Sequence, residues 1–132
     1  MQKPSIFTRI INGEIPEHII YEDDRVIAFL TTSPLCDGHT LVVPKKQIDQ
    51  IWDLDADDYT YLWKIAKKIA LNMRIVMDVS RIGIIVKGFS VPHTHIHIVP
   101  ISRHSHINFD PNPKPPIADD AKLATIADRI RL

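Results

Sequence analysis

Residues 93–99 read His-Thr-His-Ile-His-Ile-Val, two kinds of side chain in strict alternation. A period of two belongs to a β-strand, where residues two apart point to the same face. Thr94, Ile96 and Ile98 then share one face, and His93, His95 and His97 share the other. The isoleucine face demands an apolar layer to cover it, which commits the chain to a sheet packed against helix. Burial accounts for the isoleucines but not for three imidazoles in register.

The helix that can supply the layer spans 54–78. Asp55 is its N-cap, and Asp57 and Asp58 stand in the favourable first turn. Leu62, Ile65, Ala66, Ile69, Met73 and Val76 recur at spacings of three and four, with Lys64, Lys67 and Lys68 on the other side, so the stripe reads as core. Near the start, Ser5 caps a short helix in which Ile6, Phe7 and Ile10 share a face, and Gly13 suits the left-handed position after it. Residues 19–22 and 26–30 read as a hairpin through Asp23-Asp24-Arg25, and residues 40–43, closed by Pro44, as a third strand. Two further strands are expected over 82–86 and 93–101. Residues 108–116 hold four prolines in nine positions, which excludes a regular element. Asp119 then caps a last helix with Leu123, Ile126, Ala127 and Ile130 on one stripe. The order predicts an α+β fold: about five antiparallel strands packed on one long helix, with a short N-terminal helix and a C-terminal helix.

At 132 residues the chain is the size of one domain. Sixteen Lys and Arg balance sixteen Asp and Glu, so the excess positive charge that nucleic-acid polymers require is missing. The one cysteine, Cys36, excludes an internal disulfide and a multi-thiolate zinc site, and points to a reducing, cytoplasmic setting. There is no secretory-type apolar stretch at the N-terminus and no run near the ~20 residues that span a bilayer, so no membrane partner is expected.

Seven histidines are present, with His93, His95, His97, His104 and His106 close together. The 93–95–97 row has three readings: a polar solvent face, a metal site, or a nucleophile with its supports. A metal could draw on two of these histidines and on His39 from a neighbouring strand. However, positions i and i+4 lie ~13 Å apart along a strand, too far for all three rings to meet at ~2 Å from one ion. A neutral imidazole attacks phosphorus well at pH 7 when its other N–H is held by an acceptor, and flanking imidazoles can donate to phosphate oxygens.

The row resembles the signature of the histidine triad (HIT) family of nucleotide hydrolases and transferases, His-φ-His-φ-His-φ-φ with φ apolar, with Thr94 the one polar φ. The resemblance extends to residues 5–16, to 20–24 and to 38–46 (Gly-His-Thr-Leu-Val-Val-Pro-Lys-Lys), in the right order, so it covers roughly 4–101. It implies a HIT domain over 1–107, followed by a proline-rich arm and C-terminal helix over 108–132, and a homodimer whose sheets join edge to edge. It also implies a Hint-like, bacterial-type phosphoramidase. Such an enzyme cleaves purine nucleoside phosphoramidates or mixed phosphates to the monophosphate, through a nucleotidyl-histidine and without a cofactor. Alternatives are a diadenosine polyphosphate hydrolase, or a nucleotide- or metal-binding module with little turnover.

Carried over by position, the resemblance makes His95 the nucleophile and the His93 carbonyl the acceptor of its other N–H. His97 and His39 complete the polar network around the phosphate. Ser90 stands at the serine that contacts phosphate and leaving group, and Ile6, Phe7, Ile10 and Phe29 at positions lining the base pocket, where core packing is the competing explanation. The chain also departs from the family. Phe89 replaces a Gln that contacts the phosphate region, and Thr31 replaces an Asp on the ribose hydroxyls. Ser5 and Thr8 replace cysteines that bind structural zinc in some bacterial relatives, and Gln47 replaces a histidine after the Lys-Lys pair. No metal is therefore expected.

Overall fold

A computed structural model describes residues 2–104 and 106–132, and places a long helix against the isoleucine face of the triad strand. The elements run α1 (Ile6–Ile11), β1 (Ile19–Glu22), β2 (Val26–Leu30), β3 (Thr40–Pro44), a 3-10 turn (Ile51–Asp53), α2 (Ala56–Val76), β4 (Arg81–Ile85), β5 (Ile96–Ile101) and α3 (Asp120–Ile130). The five strands form one sheet in the order β1-β2-β3-β5-β4, every neighbouring pair antiparallel. The α+β architecture is as the sequence predicts.

Side-chain alternation divides the sheet into two faces. Val26, Ala28, Leu30, Val42, Ile96 and Ile98 pack with Leu62, Ile65, Ala66, Ile69 and Met73 of α2 in the main core. Each fully buried side chain of this size contributes about 1.5–3 kcal/mol. Ile27, Phe29, Leu41 and Val43 face the other way, where Phe7 and Ile10 of α1 cover them. Leu123, Ala127 and Ile130 of α3 join the main core, so the last helix packs as part of the same body. Its end is clamped to β1, where Arg131 Nε and the Leu132 N–H donate to the Ile19 and Ile20 carbonyls.

All three helix caps are as expected: Ser5, Asp55 and Asp119 each accept from a first-turn backbone N–H. Gly13 has the expected left-handed backbone, φ +78°. The proline-rich arm runs back along the molecule, pairing Asp110 with Lys87 and ending where the Ala118 N–H meets the Thr32 carbonyl.

Two expectations need correction. Ile6 does not share the buried face of α1; it is 49% exposed, whereas Phe7 and Ile10 are buried. The triad strand starts at Ile96 instead of His93. Extending the β3–β5 register, in which Val42 faces Ile96, would set Thr94 against Pro44, which has no N–H to give. Residues 93 and 94 bond elsewhere: the His93 N–H to the Val91 carbonyl, and both the N–H and the hydroxyl of Thr94 to the Ile48 carbonyl.

Candidate active site

The alternation brings His97 to the face opposite the main core, directly across from Leu41 in the β3–β5 register. His95 lies beside it, with ring centroids 4.8 Å apart, and the edge of Phe7 meets the His95 ring at 4.9 Å. His39 enters from the turn before β3. That turn bonds the His39 N–H to the Cys36 carbonyl and places Gly38 at φ +92°, where an added Cβ would sit 3.0 Å from Met77 and be strained. Gly38 thus allows the tight entry that aims His39 at His97.

Burial holds all four imidazoles neutral. Desolvation is the largest influence on each, taking His39 down to about 4 and His97 to about 3, and lowering His93 and His95. The nearby Lys87 charge pushes His95 and His97 in the same direction.

With every ring neutral, the hydrogen bonds assign the tautomers one after another. The Leu35 N–H donates to His39 Nδ1 at 3.0 Å, so the His39 proton is on Nε2. That nitrogen lies 3.0 Å from His97 Nδ1, which accepts, leaving the His97 proton on Nε2. Among the described residues His97 Nε2 has no partner, although it is shielded from solvent. A buried donor without an acceptor is costly, and it is a ready contact for an anion oxygen. His95 has the opposite tautomer. Its Nδ1–H donates to the His93 carbonyl at 2.8 Å, which leaves a lone pair on Nε2. The site therefore presents one imidazole lone pair and, on the adjacent ring, one unclaimed N–H.

His93 packs against Phe7 as His95 does, but both of its ring nitrogens are taken by other partners. Its fully buried ring bonds Pro44 through Nε2 and Ser5 through Nδ1, both at 2.7 Å. Here the residues do not suit the structural zinc that the resemblance associates with this corner. Ser5 and Thr8 offer hydroxyls, Gln47 an amide, and both His93 nitrogens are already bonded, whereas zinc favours thiolate and free imidazole.

The other expected residues are spread around the pair. Phe7, Ile10 and Phe29 form a packed cluster behind it, with the Phe7 and Phe29 rings 5.7 Å apart, while Ile6 is turned outward. Thr31 lies just past the end of β2, two residues beyond Phe29, and its hydroxyl accepts the Ser33 N–H. Phe89 and Ser90 stand exposed on the loop from β4 to His93, Phe89 at 95% exposure. His104 and His106 are exposed on the segment after β5. The Cys36 thiol donates to the Pro100 carbonyl, and burial pushes it up to about 11, so it is no nucleophile at neutral pH.

Sequence reasoning missed a groove of about 330 Å³ into which His95 opens, walled by Asp49, Gln50, Trp52, Lys87 and Phe89. Trp52 and Lys87 carry no local pattern that would have marked them. A larger groove, about 670 Å³, lies at the β2 turn and is lined by none of the triad histidines. Its Arg25 and Lys46 are already paired with Asp57 and Asp58.

Comparison with known proteins settles the family. The HIT domain model matches residues 12–104. The chain belongs to the HIT family. It is 39% identical over 103 residues to an uncharacterized HIT-like protein of Methanocaldococcus jannaschii, covering 72% of this chain and 77% of that one. The solved structure of a HIT-like protein from Bartonella henselae, described as involved in cell-cycle regulation and holding an unknown ligand, superposes with a TM-score of 0.87. The two are 30% identical, and the match covers 99% of this chain and 97% of that one. A hypothetical histidine triad nucleotide-binding protein from Sulfolobus tokodaii gives 0.83 at 27% identity, over 96% and 89% of the two chains. Membership in this family supports a nucleotide-binding, hydrolase-type role.

Proposed function

We propose that this HIT protein hydrolyses purine nucleoside phosphoramidates or mixed phosphates through a nucleotidyl intermediate on His95. The observation that carries the reading is the pairing of a free Nε2 lone pair on His95 with the orphan Nε2–H of His97. In the first step the lone pair attacks the α-phosphorus, an N–P bond forms to His95, and the bond to the leaving group breaks. An amine leaving group departs with its electron pair and takes a proton from solvent. The His93 carbonyl holds the Nδ1–H and stabilises the cationic ring, while His97 donates to a phosphoryl oxygen. In the second step water adds to phosphorus and gives up a proton to solvent, the N–P bond breaks, and His95 regains its lone pair as the monophosphate leaves. His39 fixes the His97 tautomer, and Ser90 contacts the phosphate from its loop. No step calls for a metal.

The base sits toward Phe7, with the exposed Ile6 at the rim and the buried Ile10 and Phe29 packed behind, and the leaving group lies in the groove between Trp52 and Phe89. A diadenosine polyphosphate fits this arrangement less well, because the apolar Phe89 offers no hydrogen bond to a polyphosphate. Retention of the triad for binding alone is the non-enzymatic reading, and turnover assays separate it. β4 stands at the sheet edge, with Ile84 44% exposed, and Ile75 of α2 is 81% exposed. These features support a homodimer joined edge to edge through β4. Among the described residues no helix is long and apolar enough to cross a membrane, and the net charge of zero gives no support to a nucleic-acid polymer as partner.

The lowered His95 pKa sets the pH dependence. Attack needs the neutral ring, and burial keeps it neutral below the ordinary value of 6.5. On lowering pH, kcat/KM should fall with a midpoint below 6.5. A fall centred above 6.5 contradicts the assignment.

Thr31 sets the grip on the ribose. Hydrogen bonds to a charged acceptor contribute ~1.5–3 kcal/mol against ~0.5–1.5 kcal/mol for neutral ones, a difference of about tenfold in affinity. Thr31→Asp should therefore tighten adenosine monophosphate about tenfold and leave its 2′,3′-dideoxy analogue unchanged in titration. Equal effects on the two ligands would remove Thr31 from the ribose.

A further inference from the structure

The His93 carbonyl, which fixes the tautomer of His95, lies outside the sheet ladder, since β5 begins only at Ile96. Something else must hold it in place. On the Thr94 side the anchor is the pair of bonds to the Ile48 carbonyl. On the His93 side it is the ring itself, gripped at both nitrogens.

The shortest contacts of this grip fix one assignment of protons, with Thr8 Oγ1 a more distant neighbour of His93 Nδ1 at 3.4 Å. The Pro44 carbonyl can only accept, so His93 Nε2 carries the hydrogen and Nδ1 is a lone pair that needs a donor. Ser5 Oγ is 2.7 Å away and already accepts the Thr8 N–H as the cap of α1, which leaves its proton for His93. Its other acceptor, Thr8 Oγ1, is farther, at 3.3 Å. The Thr8 hydroxyl in turn donates to Gln47 Oε1 at 2.7 Å, and that oxygen also takes the Ser5 N–H at 2.9 Å. Gln47 is held by donating its own amide to the Lys3 carbonyl. A chain of assigned bonds thus runs from Gln47 through Thr8 and Ser5 to His93, across 88 residues of sequence between Ser5 and His93.

We propose that Ser5 is a positioning residue for His95, acting through the His93 ring and carbonyl; the catalytic consequence rests on the reading of His95 as nucleophile. Without the Ser5 hydroxyl, the nearest group left to His93 Nδ1 is Thr8 Oγ1 at 3.4 Å, whose proton is engaged at 2.7 Å by Gln47 Oε1, so the buried acceptor loses its short donor and the ring gains reason to change tautomer and release Pro44. The His93 carbonyl then shifts, and His95 populates its Nε2–H form, which has no lone pair to offer phosphorus.

The test uses Ser5→Ala and Ser5→Thr in the full chain. Nitrogen-15 NMR of the histidine rings, recorded without substrate, reads the tautomers. Steady-state kinetics with adenosine phosphoramidate reads turnover. In Ser5→Ala, His95 should move from pure Nδ1–H to a mixture, and kcat should fall about 10- to 100-fold, by analogy with the loss of a hydrogen-bond partner that orients a metal-bound histidine. KM should stay within about twofold of the unmodified protein, since Ser5 touches no substrate. Ser5→Thr, which keeps a hydroxyl, should restore both readouts. If alanine unfolds α1, Ser5→Gly removes the hydroxyl while remaining an acceptable cap, and the same results are expected. An unchanged His95 tautomer in the hydroxyl-free variants overturns the proposal, even if kcat falls, because loss of the cap would then explain the fall. The NMR arm is independent of the reaction, so failure of the functional reading, seen as full activity in His95→Ala, is a separate result.

Discussion

His95→Ala is expected to lose at least ~10⁴-fold in kcat against adenosine phosphoramidate, because it removes the atom that bonds to phosphorus. Loss of a nucleophile from a covalent mechanism costs up to ~10⁶, and what survives comes from binding and oxyanion donors alone. The fold should persist, since His95 lies on the face that α1 covers and not in the main core of Ile65, Ile69 and Ile96. A cooperative thermal transition and retained binding of adenosine monophosphate would show that the loss is chemical. Turnover within tenfold of the unmodified protein would remove His95 from the mechanism.

The second large effect is at His97. Its Nε2–H has no partner among the described residues, and its tautomer is fixed by the bond from His39. A donor of this kind that meets an oxygen gaining charge in the transition state is worth about 10²–10³ in kcat. His97→Ala should therefore lower kcat by that factor with a much smaller change in KM. His39→Ala leaves the donor ring in place but frees its tautomer, so its loss should be milder, about tenfold. Single-turnover rates measure both variants on the chemical step. Should His97→Ala lie within twofold of the unmodified protein, the orphan N–H has no catalytic partner and the phosphate must sit elsewhere.

Much of this was legible in the sequence because periodicity reports what burial enforces. The alternation over 93–99 and the stripe from Leu62 to Met73 had to meet, and they do so across Ile96 and Ile98. The caps at Ser5, Asp55 and Asp119 were readable because an orphan N–H needs an acceptor at one fixed offset. The start of β5 was not. Alternation continues through His93, but a proline across the ladder and an acceptor at Ile48, 46 residues away, redirect the backbone. Ile6 was misplaced because a six-residue helix is too short for spacing to fix which side faces inward.

The site divides in the same way. The triad residues and His39 carry strong local patterns. The assignment of their protons does not, because it depends on the Leu35 N–H, the Pro44 carbonyl and the Ser5 hydroxyl, groups brought together only by the fold. The groove wall of Trp52 and Lys87 was invisible for the same reason.

The most direct test of the central claim is a search for the intermediate itself. The protein is mixed with adenosine phosphoramidate in the presence of EDTA, quenched within milliseconds into alkali to spare the acid-labile N–P bond, digested, and analysed by mass spectrometry. The account predicts an adenylyl group on the peptide carrying His95, formed and consumed at rates consistent with kcat and absent from His95→Ala. Turnover with no adduct on any histidine, or an adduct that persists in His95→Ala, would contradict it.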